Sequence, residues 1–430
     1  MRKAKRRWRP KLQGQGARPP TAAGPQRAKS LGPTLAEVHL ARHAGPGVAV
    51  NALELCHGSS GGGAIALKAA GAHVVGGCEL VGSRWVEYCK LHPANNTQCM
   101  DVAEYISKLK TGCALCLLTG PCQCFMNLSQ EEPLGGADPR ECNLPVVQEL
   151  AKLPRHCWPS TIVVENICSF RTHGGGQLFN EFADILFGMG YEMVLLEMHA
   201  ERFGLPIRRR RLHVAALPTI GALQRFMAHL PVATCNTDEV GFASVSCKEP
   251  SLWDNHELAV PWKAVHQASK RNSLGWFTFA SCHYNGVLQC LITRGGSTHC
   301  LGYGTYVVLT PNEERFRHSK LSFQEVLHGE YPVRLLTCAE LCKLQGSPLD
   351  TSWVHGEGKK AHTAWGEAVA VPCCTAVCQA ALHAAGYDTP EEATQVGACG
   401  KGGGFDRHTG KVVQVEVGVA HQRKVWLVTP

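Results

Sequence analysis

The sequence has no run of 18 or more apolar residues, and no hydrophobic stretch follows the basic residues between Arg2 and Arg9. A membrane-spanning helix needs about 20 predominantly apolar residues, and a secretory signal needs an apolar segment behind its positive charges. The pattern therefore predicts neither, and we expect a soluble intracellular protein that binds no membrane.

Acidic residues are absent from residues 1–29, which carry ten Lys and Arg. The formal net charge of the whole chain is +8, so the remainder is close to neutral. A basic segment that also contains Pro19-Pro20 cannot bury enough apolar surface to fold, and we predict a disordered tail over residues 1–47. The alternatives for its role are a solvated segment, a nuclear address, a phosphate-binding arm and an organelle transit peptide. We take the nucleus as the expected location, with the cytoplasm or an organelle as alternatives.

A second CxxC motif is missing, because Cys113-Ala-Leu-Cys116 is the only one among the 22 cysteines. A single pair is weak evidence for zinc or redox chemistry, and we expect no metal. The cysteines are scattered along apolar segments. We interpret them as small buried hydrophobic residues in a reducing compartment.

With 430 residues, of which 44% are hydrophobic, the chain is long enough for two to three domains. From residue 48 to 218, short β-branched runs alternate with helical patterns that start at Ala64 and Arg84. This rhythm predicts βαβ units, and therefore an α/β fold with a mainly parallel sheet. The predicted strands are Val50–Cys56, His73–Cys78, Leu115–Leu118, Thr161–Val164, Met193–Met198 and Leu212–Leu217.

The rhythm is lost over residues 219–332, which predict a smaller and more irregular second domain. Residues 333–388 return to the first domain, and residues 389–430 form a C-terminal extension. The predicted elements in these two segments are helices at Thr337–Gln345 and Glu367–Ala385 and a hairpin formed by Val412–Val417 and Val425–Val428.

A glycine-rich turn, residues 58–63, follows the first predicted strand. Glycines allow a sharp turn and let a ligand approach a helix N-terminus, although a tight turn without a ligand is the alternative and the spacing does not match GxGxxG. Glu79 ends the next strand, where its carboxylate can accept both ribose hydroxyls of a nucleoside cofactor. Asp101 begins the following unit and is positioned for an adenine amine. Acids that recur at successive strand ends favour a ligand site there.

Cys122 follows a buried strand, and Glu165 ends a later one. We expect nearby cations to lower the pKa of the Cys122 thiol toward neutrality and make it a nucleophile. A partly desolvated Glu165 can donate a proton. Alternate side chains entering a strand point the same way, so Arg209 and Arg211 are predicted to face the same pocket. A solvated or phosphate-facing surface is the alternative for these arginines.

The order of these motifs resembles one family, the C5-cytosine methyltransferases that use S-adenosylmethionine. The resemblance covers residues 48–385, and the irregular stretch falls where the family has its target-recognition domain. The segments that carry it are Leu55-Cys56-His57-Gly58-Ser59-Ser60-Gly61, Glu79, Asp101-Val102, Pro121-Cys122-Gln123-Cys124-Phe125, Glu165-Asn166-Ile167, Phe203 to Arg211, Arg334 to Pro348, and Gly366-Glu367-Ala368-Val369.

The resemblance implies a Rossmann-like class I methyltransferase sheet with helices on both faces, together with a small irregular target-recognition domain at 219–332. It places cofactor binding and catalysis in residues 48–218. It names S-adenosylmethionine as the cofactor. The residues it assigns to cofactor binding are Cys56, His57, Gly58, Ser59, Gly61, Glu79, Leu80, Asp101, Val102, Pro121, Glu367 and Ala368.

The implied mechanism begins with a target cytosine that is flipped out of its helix. Cys122 then attacks C6 of the base while Glu165 holds and protonates N3. Arg211 contacts the O2 side, and Arg209 supports the carboxylate or the backbone. Methyl transfer to C5 and loss of the C5 proton release the thiol, and a hinge at Gly135-Gly136 closes a loop over the base.

Several positions depart from the family pattern. Cys56 replaces an aromatic residue expected to pack against the cofactor, and Met126 replaces a serine. Ile207 replaces a glutamine, and Glu367 replaces an asparagine and so adds an acid near the cofactor. These substitutions lie beside the chemistry, so we favour an active enzyme over a degenerate nucleic-acid-binding relic.

The substrate has two candidates, because one branch of the family methylates tRNA. That branch has a Cys-Phe-Thr triplet in its variable region, whereas this chain has Trp276-Phe277-Thr278, which lacks the cysteine. The nucleophile loop does not otherwise follow the tRNA branch, and a basic tail suits a long polyanion. We therefore predict DNA as the partner, with RNA as the alternative. The sequence names no recognition site and no protein partner.

Overall fold

The computed structural model describes residues 50–125, 138, 140–229, 241–260, 262, 278–289, 305–387, 411–420 and 423–429. The predicted basic tail, Met126, the Gly135-Gly136 pair and Trp276-Phe277 lie outside the described residues. In chain order the strands are β1 (Asn51–Leu55), β2 (His73–Glu79), β3 (Thr97–Cys99), β4 (Leu115–Leu118), β5 (Thr161–Asn166), β6 (Glu192–His199), β7 (Ile207–Arg208), β8 (Arg210–Leu217), β9 (Thr278–Ser281), β10 (Leu288–Gln289), β11 (Thr305–Val308), β12 (Val333–Leu335), β13 (Lys411–Val417) and β14 (Arg423–Thr429).

A nine-stranded sheet forms the centre of the protein, in the order β13-β14-β6-β8-β5-β4-β1-β2-β3. Strands β3, β2, β1, β4 and β5 are parallel neighbours, whereas β8 runs antiparallel to both β5 and β6. The central strand β4, Leu115–Leu118, is apolar throughout and buried at every position. Strands buried on both faces read as continuous apolar runs, which is why the sequence located them well.

Helices cover both faces of this sheet, each with its own hydrophobic core. The helices are α1 (Gly62–Ala69), α2 (Gly82–Leu91), α3 (Val102–Ser107), α4 (Asn143–Lys152), α5 (Ser169–Thr172), α6 (Gln177–Met189), α7 (Ile220–Ala228), α8 (Glu314–His318), α9 (Phe323–His328), α10 (Cys338–Leu344), α11 (Ser352–His355), α12 (Lys359–Glu367) and α13 (Val371–Ala384). One face is packed by α1, α7 and α13, and the other by α3, α4 and α6.

The helix predicted at Glu367–Ala385 is wrong at its start, because Glu367 ends α12 and a new helix begins at Val371. Pro372 lies in the first turn of α13, where its missing N–H costs nothing, whereas further inside a helix it would remove a hydrogen bond. The backbone at Ala368 and Ala370 is extended. This break exposes backbone carbonyls that the active site uses.

A three-stranded sheet, β12-β11-β9, forms a second and smaller unit. Its core contains Phe279, Tyr306, Phe316 and Phe323. Because β12 (Val333–Leu335) pairs with β11, the predicted boundary between residues 332 and 333 divides a strand pair that belongs together.

The hairpin predicted at Val412–Val417 and Val425–Val428 is present, and its strands belong to the central sheet. β13 and β14 form an antiparallel hairpin, and β14 pairs in parallel with β6, opposite Val194, Leu195 and Leu196. Asp184 accepts hydrogen bonds from the backbone N–H groups of Val419 and Ala420 near the hairpin turn. The hairpin thereby satisfies the backbone groups along β6, which would otherwise be an unpaired edge.

Among the described residues, one helical stretch, Lys360–Ala384, is long and apolar enough to pass a test for a membrane span. However, 89% of the tested window is buried inside the protein. The stretch comprises most of α12 and all of α13, and α13 is packed against α1 and α7. It is therefore a core helix.

Candidate active site

The carboxyl ends of β1, β4 and β5 open into one pocket, which the end of α12 also lines. Parallel strands place their carboxyl ends at the same edge, so residues far apart in sequence meet there. The pocket is lined by Cys56, His57, Gly58, Ser59, Ser60, Gly63, Arg84, Thr119, Gly120, Pro121, Cys122, Gln123, Glu165, Arg209, Arg211, Ala364, Glu367, Ala368 and Val369.

The loop after β1 turns sharply before α1. Cys56 has φ 59° and Gly58 has φ 65°, so two residues adopt the left-handed conformation within three positions. A Cβ added to Gly58 would have no neighbour within 4 Å, which shows open space beside this backbone. Glu79, at the end of β2, accepts hydrogen bonds from the N–H groups of Gly58 and Val81, each at 3.0 Å. The carboxylate therefore fixes the loop to the adjacent strand.

A buried cluster of polar side chains lies under this loop. The Tyr88 hydroxyl donates to Glu54 Oε2 at 2.5 Å, and the His57 ring stacks on Tyr88 with centroids 3.6 Å apart. Burial raises the pKa of Glu54 to about 8, although the Tyr88 hydrogen bond opposes the shift. Burial lowers the pKa values of His57 and His92 to about 4, so both rings are neutral at pH 7.

We predict that Glu54 makes the protein less stable at alkaline pH. The folded-state pKa of about 8 lies above the ordinary value of 4.5, so the folded protein retains a proton that the unfolded chain loses between these values. Stability from this group is complete below pH 4.5 and declines as pH rises to about 8, by up to about 1.4 kcal/mol per pH unit. Glu54→Gln should therefore match wild type in melting temperature at pH 5 and exceed it at pH 9. A Glu104→Gln control removes an exposed acid, and equal pH profiles for all three proteins would contradict the prediction.

The nucleophile loop after β4 is held from both sides. Thr119 Oγ1 donates to the Cys56 carbonyl at 3.0 Å, and Asn166 Nδ2 donates to the Gly120 carbonyl at 3.4 Å. A Cβ at Gly120 would lie 2.8 Å from Asn143 Oδ1 and 2.9 Å from Cys142 Sγ, so the neighbours leave little room for a side chain here. These contacts join the Cys122 loop to the glycine-rich loop after β1 and to the strand that carries Glu165.

The pKa of Cys122 differs from the sequence expectation. Burial raises the pKa of this thiol above its ordinary value, and the nearby Arg211 and Arg209 only partly offset that effect. The expected lowering toward neutrality is therefore wrong for the ligand-free protein. Removing the thiolate from water costs more than the attraction of the two guanidinium groups offsets, and the negative charges of Glu165 and Glu367 raise the pKa further.

The raised pKa predicts a slow and strongly pH-dependent alkylation of Cys122. Below its pKa the thiolate fraction grows about tenfold per pH unit. Iodoacetamide labelling of Cys122, followed by peptide mass spectrometry, should therefore accelerate about tenfold from pH 7 to pH 8. The exposed Cys99 serves as an internal control for reagent access. The rate should keep rising above the ordinary thiol pKa of about 8.5, and a Cys122 rate that levels off at or below that pH would contradict the raised pKa.

Glu165 and two arginines form the wall opposite the first loop. Glu165, at the carboxyl end of β5, is buried, and its Oε1 lies 3.3 Å from Arg211 Nε. Arg209 is only 2% exposed and donates to the carbonyls of Gly366, at 3.2 Å, and Ala368. Arg209 thus holds the chain break between α12 and α13 against the pocket, while Arg211 contacts the carboxylate. Arg210, between them, pairs with Glu197 outside the pocket.

Arg84 and Glu367 form an ion pair in the wall of the pocket. The sequence indicated only Glu367. Arg84 Nη2 lies 2.7 Å from Glu367 Oε2, with 31% and 20% of the two side chains exposed. Gln123 Nε2 donates to the other oxygen, Oε1, at 3.1 Å. Burial raises the pKa of Glu367, and Arg84 opposes the rise. Nothing in the local sequence around Arg84 indicated this role.

Five residues predicted to bind the cofactor do not line this pocket. Gly61 packs against the His92 ring, Val102 is buried, and Asp101 caps α3 by accepting from the N–H groups that follow it. Leu80 is 66% exposed beside Glu79. Glu79 is the last residue of β2, Leu80 follows it, and Asp101 follows β3. Because β2 and β3 lie beyond β1 in the sheet, these three residues lie along the same sheet edge but further from Cys122.

The described residues include one group with the composition of a metal site, Cys338, Cys342 and Asp350. The two sulfurs each lie 3.5 Å from Thr351 Oγ1, which also accepts from the Trp365 indole at 2.9 Å. The two cysteines are buried, Asp350 is exposed, and none of the three lines the pocket.

Comparison with known proteins agrees with this geometry. A family model of C-5 cytosine-specific DNA methylases matches residues 50–383. The Type II methyltransferase M.BsuFI of Bacillus subtilis is 25% identical over 264 residues, which are 61% of this chain and 56% of that protein. The chain thus spans little more than half the length of this relative.

Solved structures share the fold. The S. pombe Dnmt2 methyltransferase is 18% identical with a TM-score of 0.58, and the match covers 78% of this chain and 98% of that one. A Spodoptera frugiperda DNMT2 variant is 19% identical with a TM-score of 0.53, covering 76% and 97%. The predicted Rossmann-like sheet with helices on both faces is confirmed.

Proposed function

Because the chain belongs to the C-5 cytosine-specific DNA methylase family, whose model matches residues 50–383, we propose that it methylates C5 of cytosine in DNA with S-adenosylmethionine as the methyl donor. The observation that carries the proposal is the convergence of Cys122, Glu165 and Arg211 in one pocket beside the glycine-rich loop. A nucleophile, an acid and a cation at one site match what attack on a pyrimidine ring requires.

The residues at the sheet edge fit the donor. Open space beside Gly58 allows a ligand to approach the backbone, and the buried Glu79 lies next to it. The exposed apolar Leu80 offers a surface for an adenine ring further along the edge. Arg84 and Glu367 supply opposite charges at the other end of the proposed donor site. When bound, S-adenosylmethionine supplies an electrophilic methyl group on a sulfonium.

Cys122 is the proposed nucleophile. Its thiolate forms a bond to C6 of the cytosine, and the electron pair of the C5–C6 double bond moves toward C5 and the N3 side of the ring. C5 then accepts the methyl group, and the donor leaves as the neutral thioether S-adenosylhomocysteine. The C5 proton passes to solvent, the C6–S bond breaks to restore the C5–C6 double bond and the thiolate, and N3 returns its proton to Glu165. No net oxidation occurs, and Cys122 is regenerated in each cycle.

Glu165 and Arg211 stabilise the charge that this attack creates. A carboxyl group at N3 donates the proton that the ring needs as electron density arrives, which is general acid catalysis. The guanidinium of Arg211, held 3.3 Å from Glu165, offers N–H donors to the neighbouring carbonyl oxygen of the base. Arg209 has an indirect role, because its buried guanidinium donates hydrogen bonds to the carbonyls of Gly366 and Ala368.

Basic side chains beside the pocket support a nucleic acid substrate. Arg208 is exposed on β7, next to the pocket residue Arg209. Burial and the adjacent Arg208 lower the pKa of Lys320, and Lys320 Nζ lies 5.8 Å from the Tyr284 ring centroid. Like charges placed together repel each other unless a polyanion compensates them, and phosphates do so in protein–DNA complexes.

The decisive experiment is transfer of labelled methyl from S-adenosylmethionine to duplex DNA and, in parallel, to tRNA, with product identified as 5-methylcytosine by mass spectrometry. Label in DNA supports the proposal. Label in tRNA alone would show that tRNA, and not DNA, is the substrate, whereas the proposed methylation chemistry would stand. Binding of either polymer without transfer would favour the degenerate binding protein and overturn the enzymatic proposal.

A further inference from the structure

We propose that Cys338, Cys342 and Asp350 bind one divalent metal ion of the zinc class, at a structural site outside the pocket that contains Cys122. The two cysteines lie on α10, and Asp350 lies in the segment that joins α10 to α11. None of the three lines the pocket, so the site does not depend on the proposed function.

The spacing of the two cysteines puts their side chains on one face of a helix. Cys338 and Cys342 are four positions apart on α10, and such positions are neighbours on a helix surface. Structural zinc sites commonly use two cysteines with two to four residues between them, and this pair falls within that range. A search for CxxC does not find the pair, and Asp350 joins it only in the folded protein.

Asp350 brings a third ligand to the same point. The two sulfurs and one carboxylate oxygen all lie within 4.8 Å of one another. Ligand atoms around one tetrahedral zinc ion lie about 3.5 to 3.8 Å apart, given Zn–S bonds of about 2.3 Å and Zn–O bonds of about 2.0 to 2.2 Å. Side-chain rotations that close a gap of about 1 Å complete this geometry. Water takes the fourth position, since Asp350 is exposed.

Neighbouring groups hold the ligands in place. Thr351 Oγ1 lies 3.5 Å from both sulfurs, and the Trp365 indole donates to it at 2.9 Å. Asp350 Oδ1 accepts from the Ser352 N–H at 2.9 Å, so its second oxygen can bind the ion. Hydrogen bonds of this kind orient the ligands of a metal.

The donor set selects the class of ion. Thiolates favour zinc and other soft ions, whereas magnesium and calcium take oxygen ligands. Binding exchanges two S–H bonds for two metal–sulfur bonds and releases both protons to solvent, so the charge of the ion is matched by the thiolates and the carboxylate. Glu357 adds a further carboxylate beside the site, because its Oε2 accepts from the Cys338 N–H at 2.6 Å.

A second cysteine pair in the described part of the chain provides a contrast. Cys374 and Cys378 on α13 are also four positions apart and buried, with sulfurs 4.0 Å from each other. No carboxylate or imidazole among the described residues completes a group of three with this pair. Cysteine spacing alone therefore does not distinguish the two pairs, whereas the position of Asp350 does.

Zinc binding by the purified full-length protein tests the site without any turnover. After treatment with a chelator, affinity for Zn²⁺ is measured by competition with a chromophoric zinc ligand. Co²⁺ then reports the ligands, because thiolates give cobalt an intense charge-transfer absorption. The variants are Cys342→Ser and Asp350→Asn. Cys378→Ser is the matched control, since it also removes the second cysteine of a buried pair with the same spacing.

Wild type and Cys378→Ser should bind one Zn²⁺ tightly, and zinc should raise the melting temperature of both. Cys342→Ser and Asp350→Asn should each bind zinc at least about tenfold more weakly, because loss of even an outer-shell partner costs about 10- to 100-fold. The cobalt charge-transfer band should be strong in wild type and reduced in Cys342→Ser, which removes one of the two sulfurs.

The site is overturned if wild type binds no zinc, if Cys378→Ser loses zinc as Cys342→Ser does, or if Asp350→Asn keeps wild-type affinity. Circular dichroism of each metal-free protein checks the fold. Should Cys342→Ser fail to fold, Asp350→Asn decides, because it changes only an exposed side chain. Methyl transfer is not measured, so failure of the metal site leaves the proposed function standing.

Discussion

Cys122→Ser is expected to abolish methyl transfer, with a loss of about 10³-fold or more, on the scale seen when a covalent nucleophile is removed. A serine hydroxyl is far less acidic than a thiol, and the buried loop already disfavours an anion at this position. The neighbouring Cys124 does not line the pocket, and its thiol donates to the Pro121 carbonyl at 3.2 Å.

The measurement is covalent trapping. DNA in which the target cytosine carries fluorine at C5 cannot lose a C5 proton after methylation, so the Cys122 adduct persists on a denaturing gel. Wild type should form this adduct in the presence of S-adenosylmethionine, and Cys122→Ser should not. Cys124→Ser is the matched control, since it replaces sulfur by oxygen in the same way two residues away. This variant should still form the trapped adduct through Cys122. A Cys122→Ser protein that retains transfer would require a different mechanism.

Glu165→Gln is expected to lower the rate of methyl transfer by about 10²- to 10⁴-fold, the usual contribution of a positioned general acid. The amide keeps the shape of the side chain and can still accept a hydrogen bond from Arg211, now 3.3 Å from the carboxylate. It cannot deliver a proton to N3. The loss should therefore fall mainly on kcat, whereas the affinity for DNA should change little.

Glu197→Gln provides the control for this substitution. Glu197 lies near the carboxyl end of β6, pairs with Arg210 and does not line the pocket. Because 55% of the Arg210 side chain is exposed, loss of this pair should cost little stability. The Glu197→Gln protein should retain wild-type kcat. If Glu165→Gln also remains within about threefold of wild type, Glu165 is not the proton donor.

The sequence alone determined much of the central sheet. The predicted strand Leu115–Leu118 matches β4, and the prediction for β5 was short only by Glu165 and Asn166. Strands buried on both faces are continuous apolar runs, and such local patterns are visible without a structure. The polar residues after those runs then identified Cys122 and Glu165, because strand ends meet at one edge in a parallel sheet.

The sequence did not determine the pairing at the edge of the central sheet or the start of α13. The C-terminal hairpin was recognisable from its alternating residues, but its place beside β6 depends on which edge of the finished sheet lacks a partner. Likewise the start of α13 is fixed by Pro372 and by the buried Arg209, whose guanidinium holds the extended residues before it. Both features depend on contacts between distant segments.

By itself, then, the sequence determined which side chains are candidates for the proposed chemistry, since residue type and position after a strand are local properties. Only the tertiary structure decided how those side chains are charged and paired. Burial raises the pKa of Cys122 against the pull of two arginines, and Gln123 meets Glu367 across 244 residues of chain. Desolvation and long-range pairing are properties of the folded interior, where water is excluded and neighbours are set by packing rather than by sequence order.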